Sequence, residues 1–102
     1  MTDFAAARLN MVESQIRTNK VTDPRIIDAF EAVAREAFVG EAQRGIAYID
    51  EDLEVAPGRY LMEPMVLARL LQAAAPQPGD MALDIGAATG YSTAVLARLV
   101  QT

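Results

Sequence analysis

The stretch "ALDIGAATGYSTAVLARL" at 82–99 constrains the chain most, because a short apolar run, a glycine-bracketed turn and an amphipathic helix follow one another without a gap. The run "MALDI" at 81–85 is too short for a helix and is interrupted only by Asp84, which is how a strand inside a parallel sheet reads. Gly86 and Gly90 flank "AAT" at the junction, where glycine lets the backbone turn tightly and approach a ligand without a Cβ in the way. A helix is expected from about Tyr91 to Val100, with Val95, Leu96, Leu99 and Val100 inward.

The residues before this unit read as helices and one irregular stretch. Ala5, Leu9, Val12 and Ile16 recur at helical spacing and predict a first amphipathic helix. "VTDPRIIDAFEAV" supplies Asp23 as N-cap and Pro24 at the first helical position, then Ile26, Ile27, Phe30 and Val33 as a buried stripe ending near Arg35. Between Phe38 and Glu63 the periodicity fails, with "LEVAPGRYL" predicting a short hairpin that turns at Pro57-Gly58. "EPMVLARLLQAAA" opens a further helix at Pro64, burying Val66, Leu67, Leu70, Leu71 and Ala74, and "PQPGD" stops it.

Composition narrows the chemistry. The chain of 102 residues has no cysteine and no histidine, which excludes disulfides, thiolate nucleophiles, Cys/His metal sites and a Ser-His-Asp arrangement within it. A hydrophobic fraction of 52% is enough for a core. The net charge of −5 has the wrong sign for tracking phosphates, so no nucleic-acid partner is expected. "MTDFAAARLN" lacks the basic and apolar regions of a secretory signal, and no apolar run approaches a membrane span, so a cytoplasmic protein without a membrane partner is expected. The acidic run "DEDLE" lacks the liganding order of a calcium loop, and no metal site is expected.

The glycine spacing matches neither G-x-G-x-x-G nor G-x-x-x-x-G-K-[ST], which weakens both pyrophosphate readings. Asp84, two residues before Gly86, instead suits a ligand with an ammonium beside a carboxylate: the cation toward Asp84, the anion toward the amides after the turn. S-adenosyl-L-methionine has such an end. Spacing alone also admits a purely structural βα turn in which Asp84 hydrogen-bonds to its backbone.

"LDIGAATGYSTAVLA" resembles the first motif of the Rossmann-like S-adenosylmethionine-dependent methyltransferases, and its Gly90-Tyr91 ending resembles the protein-L-isoaspartate O-methyltransferase family in particular. "MVESQIR" at 11–17, "DPRIIDAF" at 23–30, "REAFV" at 35–39, "AYIDEDLEV" at 47–55 and "PGD" at 78–80 resemble that family in the same order. The resemblance implies a truncated α/β Rossmann-like methyltransferase fold. Residues 1–62 form a helical lead-in with an irregular loop, and 63–102 start the core in one incomplete domain. It implies S-adenosyl-L-methionine as cofactor, held by Asp84, Gly86, Ala87, Ala88, Gly90 and Tyr91. It also implies methylation of the misplaced carboxylate of isoaspartyl residues in damaged proteins or peptides. The 102 residues match an N-terminal half, so they are expected to be inactive by themselves.

Two departures bear on those implications. Ala88 stands where the family's turn usually has a glycine; its methyl narrows the approach but leaves its N–H available. "T-I-S-x-P" in the family aligns with Tyr60, Leu61, Met62, Glu63 and Pro64, so Met62 replaces the hydroxyl of the substrate site and no catalytic residue carries over. The alternative is a relative that binds the cofactor but has lost or changed its isoaspartyl activity. A nicotinamide oxidoreductase is disfavoured by the glycine spacing. A valine at Gly90 is expected to block the turn where the ligand abuts. An interior strand at 81–85 without neighbours would leave Val66, Leu70, Val95 and Leu99 facing solvent, so the chain is expected to associate with copies of itself or to belong to a longer polypeptide.

Overall fold

The computed structural model describes residues 3–102, and its elements begin where the sequence supplies caps. Helix α1 spans Phe4–Met11, with Asp3 as N-cap accepting from the Ala6 amide at 3.0 Å. It runs into a π-helical turn at Val12–Ile16 and a short 3-10 segment at Arg17–Asn19. Within that stretch the Ser14 and Thr18 hydroxyls donate to the carbonyls four residues back, Asn10 O and Ser14 O, a side-chain competition that loosens helices.

The expected stripe of this first segment holds only in its second half. Val12 and Ile16 are buried along with Met11, whereas Ala5 is exposed and Leu9 is 54% exposed. Phe4, Ala7 and Arg8 face inward instead. Two causes combine: the wider π turn rotates the buried face between the two halves, and Arg8 turns in because Tyr48 and Glu36 receive its guanidinium.

Helix α2, Pro24–Ala32, starts as its sequence dictates: Asp23 accepts from the Arg25 amide at 2.9 Å and Pro24 holds the first position. Ile26, Ile27, Phe30 and Val33 are all buried. The hairpin forms at the expected place, β1 at Leu53–Ala56 antiparallel to β2 at Arg59–Leu61, with Gly58 at φ +71 in the turn. Helix α3, Pro64–Ala74, has Pro64 at its first position. Its buried stripe differs from expectation: Pro64 and Ala68 are buried, Val66, Leu67 and Leu71 are half-buried, and Leu70 and Ala74 are exposed.

Helix α4, Tyr91–Ala97, packs on α2, so Tyr91, Val95 and Leu99 are buried against the N-terminal layer. The expectation that Val95 and Leu99 face solvent is therefore wrong, while Leu70 does, at 53% exposed. Leu96 and Val100 are half-buried. Arg25 ties the start of α2 to the segments that follow α3 and α4, donating to Pro76 O at 3.0 Å and Leu99 O at 2.7 Å. The Cα radius of gyration, 13.0 Å, is that of a packed domain of this length, about 13 Å for 100 residues.

The segment 81–85 is not a strand. Met81, Leu83 and Ile85 are 81%, 84% and 85% exposed, because almost nothing lies beside them to complete a ladder. At one end only, Ala82 N donates to Thr102 O at 2.7 Å while Thr102 N donates to Asp80 O at 3.4 Å. That reciprocal pattern, one residue bonding to positions 80 and 82 of its neighbour, is the one parallel strands make. Thr102 and residues 80–82 thus share one parallel-type rung, while 83–85 pairs with nothing among the described residues.

Candidate functional site

The turn at 86–90 is built on three left-handed residues, Gly86 at φ +73, Ala88 at φ +53 and Gly90 at φ +96. Glycine takes such angles freely; alanine at 88 does so against its Cβ, at a cost of about 1–2 kcal/mol. Gly90 is needed for its angle rather than for space, since a Cβ there would meet only Phe38 Cε1 at 4.0 Å. The expected steric block by a branched residue at 90 is therefore replaced by backbone strain. Thr89 anchors the turn to the N-terminal layer by donating to Phe38 O at 2.6 Å. Gly90 N closes it on Ala87 O at 2.9 Å. The amides of Ala87, Ala88 and Thr89 donate to nothing among the described residues.

Asp84 does not cap the turn's backbone. Its Oδ2 accepts from Ser92 Oγ at 2.6 Å and Thr93 Oγ1 at 2.9 Å, so the first turn of α4 fixes the carboxylate beside the glycines. Ser92 and Thr93 are not among the sequence candidates, although "YST" directly after Gly90 places two hydroxyls in the first turn of α4, eight and nine residues after the acid. A cleft of about 210 Å³ opens here, with Asp84, Gly86, Ala87 and Ser92 on one wall and Tyr60 and Met62 on the other. Four of the six candidates, Asp84, Gly86, Ala87 and Tyr91, line it; Ala88 and Gly90 do not, and Gly90 sits at the start of α4. Larger depressions of about 510 and 390 Å³ lie on the outer faces of α1 and α3, each lined by a single helix and unable to enclose a ligand.

Tyr91 supports the cleft from below. It is 1% exposed, its ring edge-on to Phe30 and Phe38 at centroid separations of 6.3 and 5.7 Å, with the Arg35 guanidinium 4.7 Å from its ring centroid. Burial pushes its hydroxyl up to about 12. Burial likewise pulls the Arg35 guanidinium below its ordinary value. Met62 is 40% exposed at the cleft rim and presents a thioether there. Glu63 occupies the N-cap position of α3 but makes no capping bond with its side chain. The neighbouring Asp50 carboxyl raises that of Glu63 above the usual range, in an acidic neighbourhood that includes Asp52 and Glu51. Among the described residues no group of three or more Asp, Glu, His or Cys is placed to hold a metal ion, and no helix is long and apolar enough to cross a membrane.

The chain is 43% identical over 97 residues to a protein-L-isoaspartate O-methyltransferase of Methylorubrum extorquens (strain PA1), covering 95% of this chain and 42% of that protein. It is 43% identical over 97 residues to one from Aeropyrum pernix, covering 95% of this chain and 37% of that protein. It is 40% identical over 98 residues to a protein-L-isoaspartate O-methyltransferase 1 of Rhodopseudomonas palustris (strain HaA2), covering 96% of this chain and 40% of that protein. The chain thus spans well under half the length of these curated relatives. A family model for protein-L-isoaspartate(D-aspartate) O-methyltransferase matches residues 6–102, and with the turn, the acid, α2 and α3 all inside that match, the chain belongs to this family.

Proposed function

We propose that the cleft at 84–92 receives the amino-acid end of S-adenosyl-L-methionine, and that the protein is a methyltransferase acting on a carboxylate of isoaspartyl residues. One observation carries the reading: a fixed carboxylate, Asp84, lies beside a left-handed turn whose Ala87, Ala88 and Thr89 amides are uncommitted. An ammonium would pair with Asp84 and a carboxylate with the amides, each a charge-assisted hydrogen bond. The residues fit that group, because Ser92 and Thr93 hold Asp84 from one side and leave its other oxygen unengaged among the described residues. At about 210 Å³ the cleft is smaller than the roughly 300–1,000 Å³ of a complete small-molecule site, and suits the amino-acid end rather than the whole cofactor. Residues 63–102 are then the start of the catalytic core, with 1–62 as the layer that braces it.

Bound, S-adenosyl-L-methionine supplies the activated methyl group. The chain's own residues bind and orient. An aspartyl-type carboxyl, with an ordinary pKa of about 3.9, is ionised at neutral pH and needs no general base, so the lack of histidine and cysteine is no obstacle. What remains is to hold the carboxylate oxygen in line with the methyl, a matter of positioning. Met62 favours a second reading, in which the cofactor is bound but isoaspartyl substrates are not methylated, since the rim offers a thioether in place of a hydroxyl and lies next to the negatively charged neighbourhood of Glu63.

Calorimetric titration with S-adenosyl-L-methionine, with NAD, and with an Asp84→Asn variant tests the site. The reading requires binding of the first ligand, none of the second, and weakening by about tenfold or more in the variant, the loss of one charge-assisted bond. Equal affinity in Asp84→Asn would remove Asp84 from the site. Methyl transfer to an isoaspartyl peptide by the protein extended to its relatives' length, with and without Met62→Ser, separates the two readings: activity raised by the serine supports the second.

A further inference from the structure

Arg35 is the one charged side chain fully buried among the described residues, and it pairs with no carboxylate. Removing a cation from water without a counter-ion is costly, so an arginine kept there must be using its geometry. Its Nε donates to Ala47 O at 2.6 Å, its Nη2 donates to Met62 O at 3.1 Å, and its plane lies over Tyr91. Met62 belongs to the wall of the cleft next to the hairpin; Tyr91 follows the glycine turn and belongs to the other. One rigid, planar group therefore bridges both walls.

We propose that Arg35 is a positioning residue that sets the separation of the 60–63 segment from the 86–91 turn, and with it the width of the cleft. This rests on the reading of that cleft as the place where methyl donor and carboxylate acceptor meet. Arg35 acts through the Met62 carbonyl and the Tyr91 ring and reaches neither reactant. Lysine cannot substitute, because a single flexible ammonium lacks both the fork and the plane. Arginine in an irregular segment would ordinarily be solvated, which is why "REAFV" gives no hint of the role.

The test compares Arg35→Lys and Arg35→Met with Arg8→Lys, which disturbs a polar cluster away from the cleft. Amide hydrogen exchange is read residue by residue on the 102-residue chain, together with calorimetric titration with S-adenosyl-L-methionine. In Arg35→Lys, the amides of Glu63 and Gly90, which donate to Asp52 Oδ1 and Ala87 O, should exchange about tenfold faster while those at 27–30 keep their protection. Affinity for S-adenosyl-L-methionine should fall about tenfold or more, the scale on which small misplacements act. Arg8→Lys should do neither. Uniform loosening in Arg35→Lys, or exchange and affinity equal to the parent, overturns the proposal. Failure of both Arg35 variants to fold while Arg8→Lys folds makes Arg35 a core residue only and overturns it too. If the parent itself does not bind S-adenosyl-L-methionine, the proposed function falls, and the exchange pattern alone decides the positioning role.

Discussion

Residues 3–63 and residues 78–102 solve the problem of burial in opposite ways. In the first region even charged groups are drawn in and partnered: Arg8 donates to Tyr48 Oη at 2.9 Å and to both oxygens of Glu36, and the Tyr48 hydroxyl donates to Glu36 while accepting from the Arg35 amide. In the second, the most apolar run of the turn unit stands in solvent, with Met81, Leu83 and Ile85 more than four-fifths exposed. Helices satisfy their backbone locally and need only a face to pack on; a strand needs a neighbour from elsewhere in the chain. The helices, α4 included, therefore close on one another, whereas 81–85 has a single rung to Thr102.

The largest expected difference between the regions comes from their apolar side chains. Phe30 is 0% exposed and meets Tyr91 edge-on, so Phe30→Ala should cost about 3–5 kcal/mol in urea unfolding. Leu83→Ser, at 84% exposed, should change stability by no more than about 0.5 kcal/mol. Comparable losses in the two variants would mean that 81–85 is packed in solution and would break the contrast.

A smaller effect is expected at the turn joining the regions. Ala88→Gly relieves a φ of +53 and should stabilise the chain by about 1 kcal/mol, with affinity for S-adenosyl-L-methionine equal or higher. A destabilised glycine variant would show that the left-handed angle at 88 is not held in solution.

How far the sequence reveals all this depends on the range of the forces involved. The starts of α2 and α3 were readable from Asp23-Pro24 and Pro64, and the hairpin from Pro57-Gly58, because caps and turns act over a few residues. The turn's conformation was readable at Gly86 and Gly90 but not at Ala88, where tertiary anchoring through Thr89 to Phe38 imposes an angle alanine does not favour. The inward turn of Arg8 and the burial of Arg35 depend on Tyr48, Ala47 and Met62, partners too distant in sequence for any periodicity to show. The strand reading of 81–85 was sound as a pattern, yet pattern alone does not supply a partner strand.

Acid sharpens the contrast further. Burial pushes the Glu36 carboxyl up, but the Tyr48 hydrogen bond and the Arg8 guanidinium outweigh it and hold the group below the ordinary 4.5. A carboxyl depressed in the folded state contributes stability that is complete above its unfolded pKa and is lost as pH falls through the folded value. Urea midpoints should therefore drop on going from neutral pH to about pH 3, and Glu36→Gln should flatten part of that drop. An unchanged pH profile in Glu36→Gln would remove the cluster from the account.

The smallest effect on folding is paired with a visible effect on association. Leu83→Ser with Ile85→Ser should leave the unfolding midpoint nearly in place and lower light scattering by the purified chain, because an open apolar edge invites pairing between copies. Scattering that is monomeric in both forms would show that the edge does not recruit a neighbour.

The central claim is that a preformed turn, braced by a closed helical layer, waits beside an open edge for an amino-acid ligand. Amide hydrogen exchange of the 102-residue chain, with and without S-adenosyl-L-methionine, tests it most directly. The account predicts slow exchange at 27–30 and 94–95, fast exchange at 83–85, and new protection on adding ligand confined to 84–92. Slow exchange at 83–85 without ligand, or no change at 84–92 with it, would contradict the account.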